Sequence, residues 1–296
     1  MKWGKINNPE RVDYTFPDDP DENIEILGGQ PADHFNIYLG YAGLSKAKLK
    51  GFYPKGINDE LTYYSRQFNA IEFNATFYKE FSKEQFTKWK NKTPQNFKFY
   101  PKLSRTISHV QKLKPETSTT IQSFLKGIQN FGENLGIPFL QLPETFHPAN
   151  GYHLKRFVNN WPSNFPLAIE LRHLDWYKEA VRDRLFELLQ SNQIAHVITD
   201  TPGRRDLMHM RLTNKTAFIR YVAADQPIDE NRLDEWIERL SLWKSLGLKE
   251  ACFFIHQDVQ NFNSFLATDF ALKLNKHFKL DLPIPIPTNS NFNLFS

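Results

Sequence analysis

The sequence predicts an α/β protein of the (β/α)8 class, a TIM-type barrel of eight parallel strands connected by helices. Two observations support this prediction. From residue 36 onward, eight short apolar runs alternate with segments of helical periodicity. Polar side chains also recur where these runs end, and barrels of this class keep their chemistry at that mouth. A chain of 296 residues is long enough to form one such domain.

The eight candidate strands are runs of five or six residues that favour extended structure. They span residues 36–40, 70–74, 97–102, 138–142, 167–172, 195–200, 217–222 and 251–256. Five of the connections show a helical pattern, over residues 59–68, 82–91, 117–135, 176–190 and 229–246. The sixth connection begins with Thr201-Pro202-Gly203 and has a poor helical period. We therefore expect it to be irregular or to hold only a short helix.

Three parts are expected along the chain: an N-terminal arm over residues 1–34, a barrel domain over 35–280, and an extended C-terminal tail over 281–296. The arm is acidic and lacks a sustained period, so we expect it to pack loosely. Three prolines prevent a helix in the tail: Pro283, Pro285 and Pro287.

Composition excludes two classes of protein. With 24% charged and 40% hydrophobic residues, the chain is neither disordered nor an integral membrane protein. No apolar run approaches the roughly 20 residues that cross a bilayer. The first residues lack the apolar segment of a secretory signal, and a single cysteine, Cys252, cannot form an internal disulfide. We expect a cytoplasmic protein with no membrane partner.

The ends of the candidate strands carry the candidate site. Side chains two residues apart share one face of a strand, so Glu170 lies beside Arg172, and Glu72 beside Asn74. In a barrel these ends converge. The polar residues expected there are Tyr41, Glu72, Asn74, Lys102, Gln141, Glu170, Arg172, His173, Asp200, Arg220, His256 and Gln257. Buried charges need partners, so the residues either form a structural ion network or serve a ligand.

Ordered motifs in this part of the chain resemble those of the DUF72 (YecE-like) family. They include GYAG at 40–43, IEFNATFY at 71–78, FLQLP at 139–143, IELRH at 169–173 and TDTP at 199–202. The resemblance covers about residues 37–266 and implies a (β/α)8-type barrel without an established activity. It also implies that the family's recurrent polar positions fall on Glu72, Asn74, Lys102, Gln141, Glu170, Arg172, His173, Asp200 and Arg220. The seventh and eighth strands depart from the family pattern, so no role follows for Tyr221, His256 or Gln257.

The leading hypothesis is an enzyme, hydrolase- or lyase-like, that acts on a small anionic or phosphorylated substrate. Arginine grips phosphate or carboxylate at two points, and a carboxylate or imidazole beside it can move protons. The expected substrate-binding residues are Asn74, Lys102, Gln141, Arg172 and Arg220. The expected catalytic residues are Glu72, Glu170, His173 and Asp200. We expect no metal and no cofactor.

Other roles stay open for the same residues. Lys102 is expected to clamp an anion, although burial beside cations would also allow it to form a Schiff base. Glu72 and Glu170 have the residue types of a glycosidase acid pair. A metal-dependent phosphodiester hydrolase would use ligands among Glu170, Asp200 and three histidines, which are His109, His173 and His256. No short ligand motif supports it, and neighbouring cations repel a metal.

A third hypothesis is a binding protein without catalysis, with nucleic acid as one possible ligand. Its basis is two groups of basic loop residues: Lys46, Lys48 and Lys50 in the first connection, and Arg204, Arg205 and Arg211 in the sixth. The net charge of +4 and the pI of about 8.9 are compatible with such a partner without requiring one. The oligomeric state does not follow from the sequence.

Overall fold

The computed structural model describes residue 4 and residues 6–47, 49–257 and 266–288. Each of the eight predicted strands is present there, within two residues of the expected ends. They are β1 (Asn36–Tyr41), β2 (Ala70–Phe73), β3 (Lys98–Pro101), β4 (Phe139–Gln141), β5 (Ala168–Glu170), β6 (Ala195–Asp200), β7 (Thr216–Val222) and β8 (Glu250–His256).

All paired strands are parallel, and they form two hydrogen-bonded sheets. One sheet has six strands in the order β1-β8-β7-β6-β5-β4, and the other pairs β2 with β3. Isolated bridges join Lys102 to Phe139 and Phe99 to Leu135, between β3 and β4. The fold is therefore mixed α/β around a largely parallel sheet. The predicted closed, eight-stranded sheet is not confirmed, because the ladder of strands is interrupted on both sides of the β2–β3 pair.

Side chains rather than backbone groups join β1 to β2. The Tyr64 hydroxyl accepts a hydrogen bond from the Tyr41 N–H at 2.7 Å and donates one to the Ala70 carbonyl at 3.1 Å. The Asn69 side chain adds two bonds of 2.8 Å to the backbone of β1. A Cβ atom at Gly40 would lie 2.1 Å from the Ala70 carbonyl oxygen. Glycine is thus required where these two strands approach each other.

Helices follow most strands. In the described ranges they are α1 (Glu22–Leu27), α2 (Glu60–Gln67), α3 (Ala75–Tyr78), α4 (Lys83–Lys90), α5 (Thr117–Ile128), α6 (Gly151–Asn159), α7 (Glu179–Ser191), α8 (Ile228–Leu246) and α9 (Leu266–Phe278). Ser82 caps α4 as its spacing predicts, accepting a bond from the Gln85 N–H. The predicted helix over 117–135 is shorter, because it passes into a 3₁₀ turn in which Gly132 has φ of +54°. The sequence did not predict α1, α3, α6 or α9.

The sixth connection is irregular, as predicted. In the described structure it holds only the 3₁₀ turn Pro202–Leu207 before β7 begins. In the described residues no α-helix lies between β6 and β7, and the N-terminal arm packs against α8, the helix between β7 and β8. Phe16 lies 4.8 Å from the ring of Trp236, and Asp19 accepts a bond from the Trp243 indole N–H at 3.0 Å.

The expectation of a loosely packed arm is wrong. Asn23 is buried, and its side chain donates to the Met210 carbonyl at 2.8 Å and accepts from the Leu212 N–H at 2.9 Å. Leu27 joins the main hydrophobic core. The arm is held tightly because it contacts the sixth connection, α8 and the main hydrophobic core.

A second, smaller apolar cluster lies between the strands, and every strand contributes to it. Its members are Tyr38, Ala70, Tyr100, Ile137, Phe139, Ala168, Ala195, Val197, Phe218, Cys252 and Phe254. We call it the interior cluster. Since side chains alternate along a strand, its members define the inward face of each strand. A residue two positions after a member of the interior cluster lies on the same, inward face of its strand.

The described part of the tail, residues 281–288, contains no helix, as its prolines predict. Residues 1–3 and 5 of the predicted arm, residues 289–296 of the tail, and Lys48 lie outside the described residues. Across the described ranges, no helix combines the length and the apolar character that crossing a membrane requires.

Candidate functional site

Polar side chains follow the interior cluster by two residues on seven of the eight strands. Because that spacing preserves the face, they point inward at the carboxyl ends. They are Glu72, Lys102, Gln141, Glu170, Thr199, Arg220 and His256. With Asn74 and Arg172 they form what we call the central cluster. All of the predicted substrate-binding residues belong to it.

Arg220 occupies the middle of the central cluster. Its Nε donates to Glu72 Oε2 at 2.8 Å and its Nη2 to Glu72 Oε1 at 2.9 Å. Its Nη1 donates to Glu170 Oε2. All three side chains are buried. One guanidinium from β7 therefore holds two carboxylates from β2 and β5, which form a buried ion triad.

Arg172 and Asn74 complete the bonding of this triad. Arg172 Nε donates to Glu170 Oε1 at 2.5 Å, and the Asn74 amide donates to Glu72 Oε1 at 2.9 Å. The Arg172 side chain remains 16% exposed. The predicted pairing of residues two apart on each strand is therefore observed for Glu72 with Asn74 and for Glu170 with Arg172.

Both carboxyl groups are ionised at neutral pH. Burial would raise the pKa of Glu72, but the Arg220 guanidinium and then His256 outweigh it and hold that pKa well below its usual value. Burial also opposes ionisation of Glu170, yet Arg172 and Arg220 lower its pKa to about 2. Neither acid carries a proton to donate at pH 7.

Lys102 is a buried amine without a carboxylate partner. Its residue is 8% exposed, and in the described part of the chain its Nζ has one hydrogen-bond partner, Gln141 Oε1 at 2.9 Å. Nζ also lies 4.3 Å from the centre of the Phe77 ring. Burial, and then the Arg220 charge, lower the pKa of Lys102 to about 7 although both acids oppose this. About half of the amine is neutral at that pH.

His256 gives the eighth strand a role that the sequence left open. Its Nε2 lies 2.9 Å from Glu72 Oε2, and its side chain is 23% exposed. Burial lowers the pKa of His256 although the Glu72 charge opposes this, so the imidazole is neutral at pH 7. Since the carboxylate accepts the Nε2 proton, the basic lone pair is on Nδ1. The pair has the arrangement of a general base and its orienting acid.

Two further residues near the site were not among those expected at the strand ends, although His109 was named as a possible metal ligand. His109 packs 5.2 Å from the Phe77 ring, and burial, then Lys102 and Arg172, lower the pKa of His109 to about 4. The buried Thr199 hydroxyl has no hydrogen-bond partner in the described structure. Counting two residues from Val197 in the sequence would have found Thr199.

Asp200, a predicted catalytic residue, is not part of the central cluster. It follows Thr199 and so faces the helices, where Arg205 and Arg232 donate to its Oδ1 at 2.5 and 2.7 Å. The Trp236 indole N–H donates to its Oδ2 at 2.8 Å. Asp200 is fully buried, so we correct its predicted position. Together with Asp229, which bonds Arg232 at 2.8 Å, these residues form the outer cluster: Asp200, Arg205, Asp229 and Arg232.

Two tyrosines also face away from the central cluster: Tyr41, which was expected at a strand end, and Tyr221, to which no role was assigned. The Tyr221 hydroxyl donates to Asp229 at 2.6 Å in the outer cluster. The Tyr41 hydroxyl donates to Gln257 at 3.0 Å, and its ring packs against Phe68. Tyr41 and Tyr221 follow inward-facing residues by one position, which places them on the opposite face.

His173 was also predicted to be a catalytic residue, but it lies outside the central cluster and caps a 3₁₀ turn. Its Nδ1 accepts from the Asp175 N–H at 3.1 Å, and its ring packs 4.6 Å from that of His147. Across the described residues, His147, His173 and Asp175 are the group whose ligand atoms lie close enough to share a metal ion. His147 Nδ1 likewise accepts from a backbone N–H.

These three residues fit a metal poorly. A neutral histidine bound to metal through Nε2 carries its proton on Nδ1 and donates it to a neighbour. Here both Nδ1 atoms face backbone N–H donors. Metal binding would have to break both caps.

The arginines of the sixth connection are already paired with acids. Arg204 bonds Glu144 and Asp206, Arg205 bonds Asp200, and Arg211 bonds Glu22. They are expected to bind phosphate groups of nucleic acid only by exchanging these partners.

Comparison with known proteins identifies the family to which this sequence is similar. Residues 38–289 match the model of DUF72, described as a protein of unknown function. The chain is 26% identical over 227 residues to the UPF0759 protein YecE of Escherichia coli K12, an alignment that covers 70% of this chain and 82% of the relative. The matched region begins after the N-terminal arm.

Solved structures share the fold. A DUF72 family protein from Enterococcus faecalis V583 aligns with a TM-score of 0.65 at 20% identity, covering 84% of this chain and 99% of the other. One from Thermotoga maritima MSB8 aligns with a TM-score of 0.66 at 24% identity, covering 83% and 100%. Since the family model spans most of the sequence, the chain belongs to the DUF72 family.

Proposed function

We propose that the protein is an enzyme that binds a small anionic or phosphorylated substrate at the central cluster, with hydrolase- or lyase-like chemistry. The observation that carries this proposal is Lys102. Two arginines, Arg220 and Arg172, bond the two carboxylates of the cluster, so the charge of Lys102 is not needed to balance them. A buried amine of this kind gains from an anionic ligand, which would raise its pKa again.

Arg172 provides a second contact for the anion. It is the most accessible arginine of the central cluster, and its guanidinium is anchored through Nε on Glu170. A guanidinium held in this way matches phosphate or carboxylate geometry. Lys102 and Arg172 would therefore bind the anionic group together.

Proton transfer is assigned to His256 rather than to the acids. Glu72 and Glu170 are both ionised and bonded to Arg220, whereas a glycosidase requires one acid that stays protonated. This argues against the glycosidase alternative. Glu72 would instead be the positioning residue for His256, and the Nδ1 atom of His256 would accept the proton.

The same proposal includes closure of the two sheets into one (β/α)8-type barrel. Support comes from the interior cluster, to which all eight strands contribute, and from the Tyr64 and Asn69 bonds between β1 and β2. In such a barrel the central cluster lies at the mouth where ligands bind.

Sulfate tests the proposal, because its charge stays constant between pH 6 and 9. Thermal unfolding of the full chain is measured with sodium sulfate and with sodium chloride of equal ionic strength. We expect sulfate to stabilise the protein by about 1.4 kcal/mol at roughly tenfold its Kd. The effect should be larger at pH 6 than at pH 9, since Lys102 is protonated below about pH 7.

Two variants separate specific binding from the general effect of sulfate on proteins. Lys102→Met should lose the pH-dependent part of the stabilisation. Lys79→Met should keep it, because Lys79 is exposed and its Nζ lies 4.9 Å from the Phe81 ring. Equal sulfate stabilisation in the wild type and Lys102→Met at both pH values would overturn the proposal.

A further inference from the structure

We infer that Lys102 is a nucleophilic amine that forms an imine with the carbonyl carbon of a small substrate bearing an anionic group. This inference rests on the proposed function and gives it a substrate class: aldehydes or ketones that carry a carboxylate or phosphate. It assigns Lys102 a covalent role, where the sequence favoured an electrostatic clamp.

The position of Lys102 supports a reacting group. It follows β3 and faces inward above the interior cluster, among the side chains of several strand ends. Gln141 fixes Nζ from β4, and the Phe77 ring covers it at 4.3 Å. A lysine held by a neutral amide and an aromatic ring is shielded from water without being ion-paired.

The neighbouring charges favour the neutral amine. Glu72 and Glu170 are bonded to Arg220, and no carboxylate of the described residues forms an ion pair with Lys102. Burial and then the nearby guanidinium groups disfavour a positive charge on Lys102, which agrees with its pKa of about 7. A neutral amine that donates one N–H to Gln141 Oε1 keeps its lone pair for an electrophilic carbon.

The reaction needs no external oxidant or reductant. The nitrogen lone pair attacks the carbonyl carbon, and the C–O π bond opens to give a carbinolamine. Nitrogen then forms a double bond to carbon as the C–O bond breaks. Both amine protons and the carbonyl oxygen leave as one water molecule. Arg172 would hold the anionic group of the substrate during these steps.

Glyoxylate, a small aldehyde with a carboxylate, is the probe. The folded chain is incubated with it at pH 7 in the presence of cyanoborohydride, which reduces an imine to a stable secondary amine. Peptide mass spectrometry then locates the modified lysines. We expect labelling of Lys102 at least about tenfold above that of the exposed Lys79, because the Lys102 amine is about half neutral at pH 7. Lys102→Arg should lose this adduct while retaining the fold.

The pH profile and a competitor extend the test. Labelling of Lys102 should reach half its maximum near pH 7. Excess sulfate should slow labelling at Lys102 only.

The outcomes separate the two proposals. If sulfate binds at Lys102 but glyoxylate labels only surface lysines, the imine inference fails and the anion-binding proposal stands. Acetaldehyde has no charge and reacts wherever the amine is nucleophilic. If it labels Lys102 as fast as glyoxylate does, and Arg172→Ala changes neither rate, the amine is nucleophilic but anion recognition fails.

Discussion

The central and outer clusters are both buried networks of acids and arginines at the ends of neighbouring strands, yet they differ in balance. The outer cluster pairs two carboxylates, Asp200 and Asp229, with two arginines. The described central cluster sets two carboxylates against two arginines and a lysine, beside a partly exposed histidine. A buried network whose charges balance, such as the outer cluster, is explained by its contribution to the fold. A network with one surplus positive charge and partial access to solvent, such as the central cluster, indicates a ligand site.

The largest expected effect on stability comes from a feature that both clusters share, an arginine that bonds two buried carboxylates. Arg220→Met and Arg232→Met each leave two buried carboxylates with weaker partners. We expect each variant to lose about 3–5 kcal/mol in its free energy of unfolding, measured by urea denaturation. A loss below about 1 kcal/mol in one variant only would show that its cluster does not support the fold.

Lys102→Met should distinguish the clusters by raising stability at low pH. The pKa of Lys102 is lower in the folded chain than the usual lysine value, so the unfolded state binds more protons between about pH 7 and 10. Wild-type stability therefore rises with pH across that window. We expect the variant to gain about 1–3 kcal/mol at pH 6, and less at pH 9. Arg205→Met, the control from the outer cluster, should be destabilised at both pH values.

Arg172 and Arg205 form a matched pair. Each bonds a buried carboxylate at 2.5 Å, with side chains 16% and 17% exposed. We expect Arg172→Ala to weaken sulfate binding about tenfold or more, as measured by calorimetry. Arg205→Ala should reduce the melting temperature and leave sulfate affinity unchanged. Equal effects of the two variants on affinity would contradict the assignment of the site to the central cluster.

The smallest effect concerns single hydroxyl groups. Tyr221→Phe removes a donor to Asp229 in the outer cluster and should cost about 1 kcal/mol in urea denaturation. Thr199→Val in the central cluster removes a buried hydroxyl without a partner in the described structure. Its stability should stay within about 0.5 kcal/mol of the wild type. A cost equal to that of Tyr221→Phe would mean that Thr199 has a structural partner.

Local sequence was enough to predict the strands and most of the site. Apolar runs marked all eight strands, and spacing by two residues placed Glu72 with Asn74 and Glu170 with Arg172. Asp200 and His173 were misplaced for one reason, because each follows an inward-facing residue by a single position. Since the period of a strand is two, an error of one residue moves a side chain to the opposite face.

Other features depend on contacts that sequence spacing does not contain. The Tyr64 and Asn69 bridges between β1 and β2 arise from side chains outside the strands. The lack of an ion pair to Lys102 among the described residues depends on Arg220 engaging both carboxylates, which come from strands about 100 residues apart. The partner of each of these side chains is determined only when the whole network has formed.

The docked arm has a consequence for synthesis of the chain. Asn23 bonds Met210, 187 residues later, and Asp19 bonds Trp243, 224 residues later. The arm therefore leaves the ribosome long before its partners exist, and contacts of such long range form slowly. A segment that is translated well before its partners is thus among the last to reach its native place.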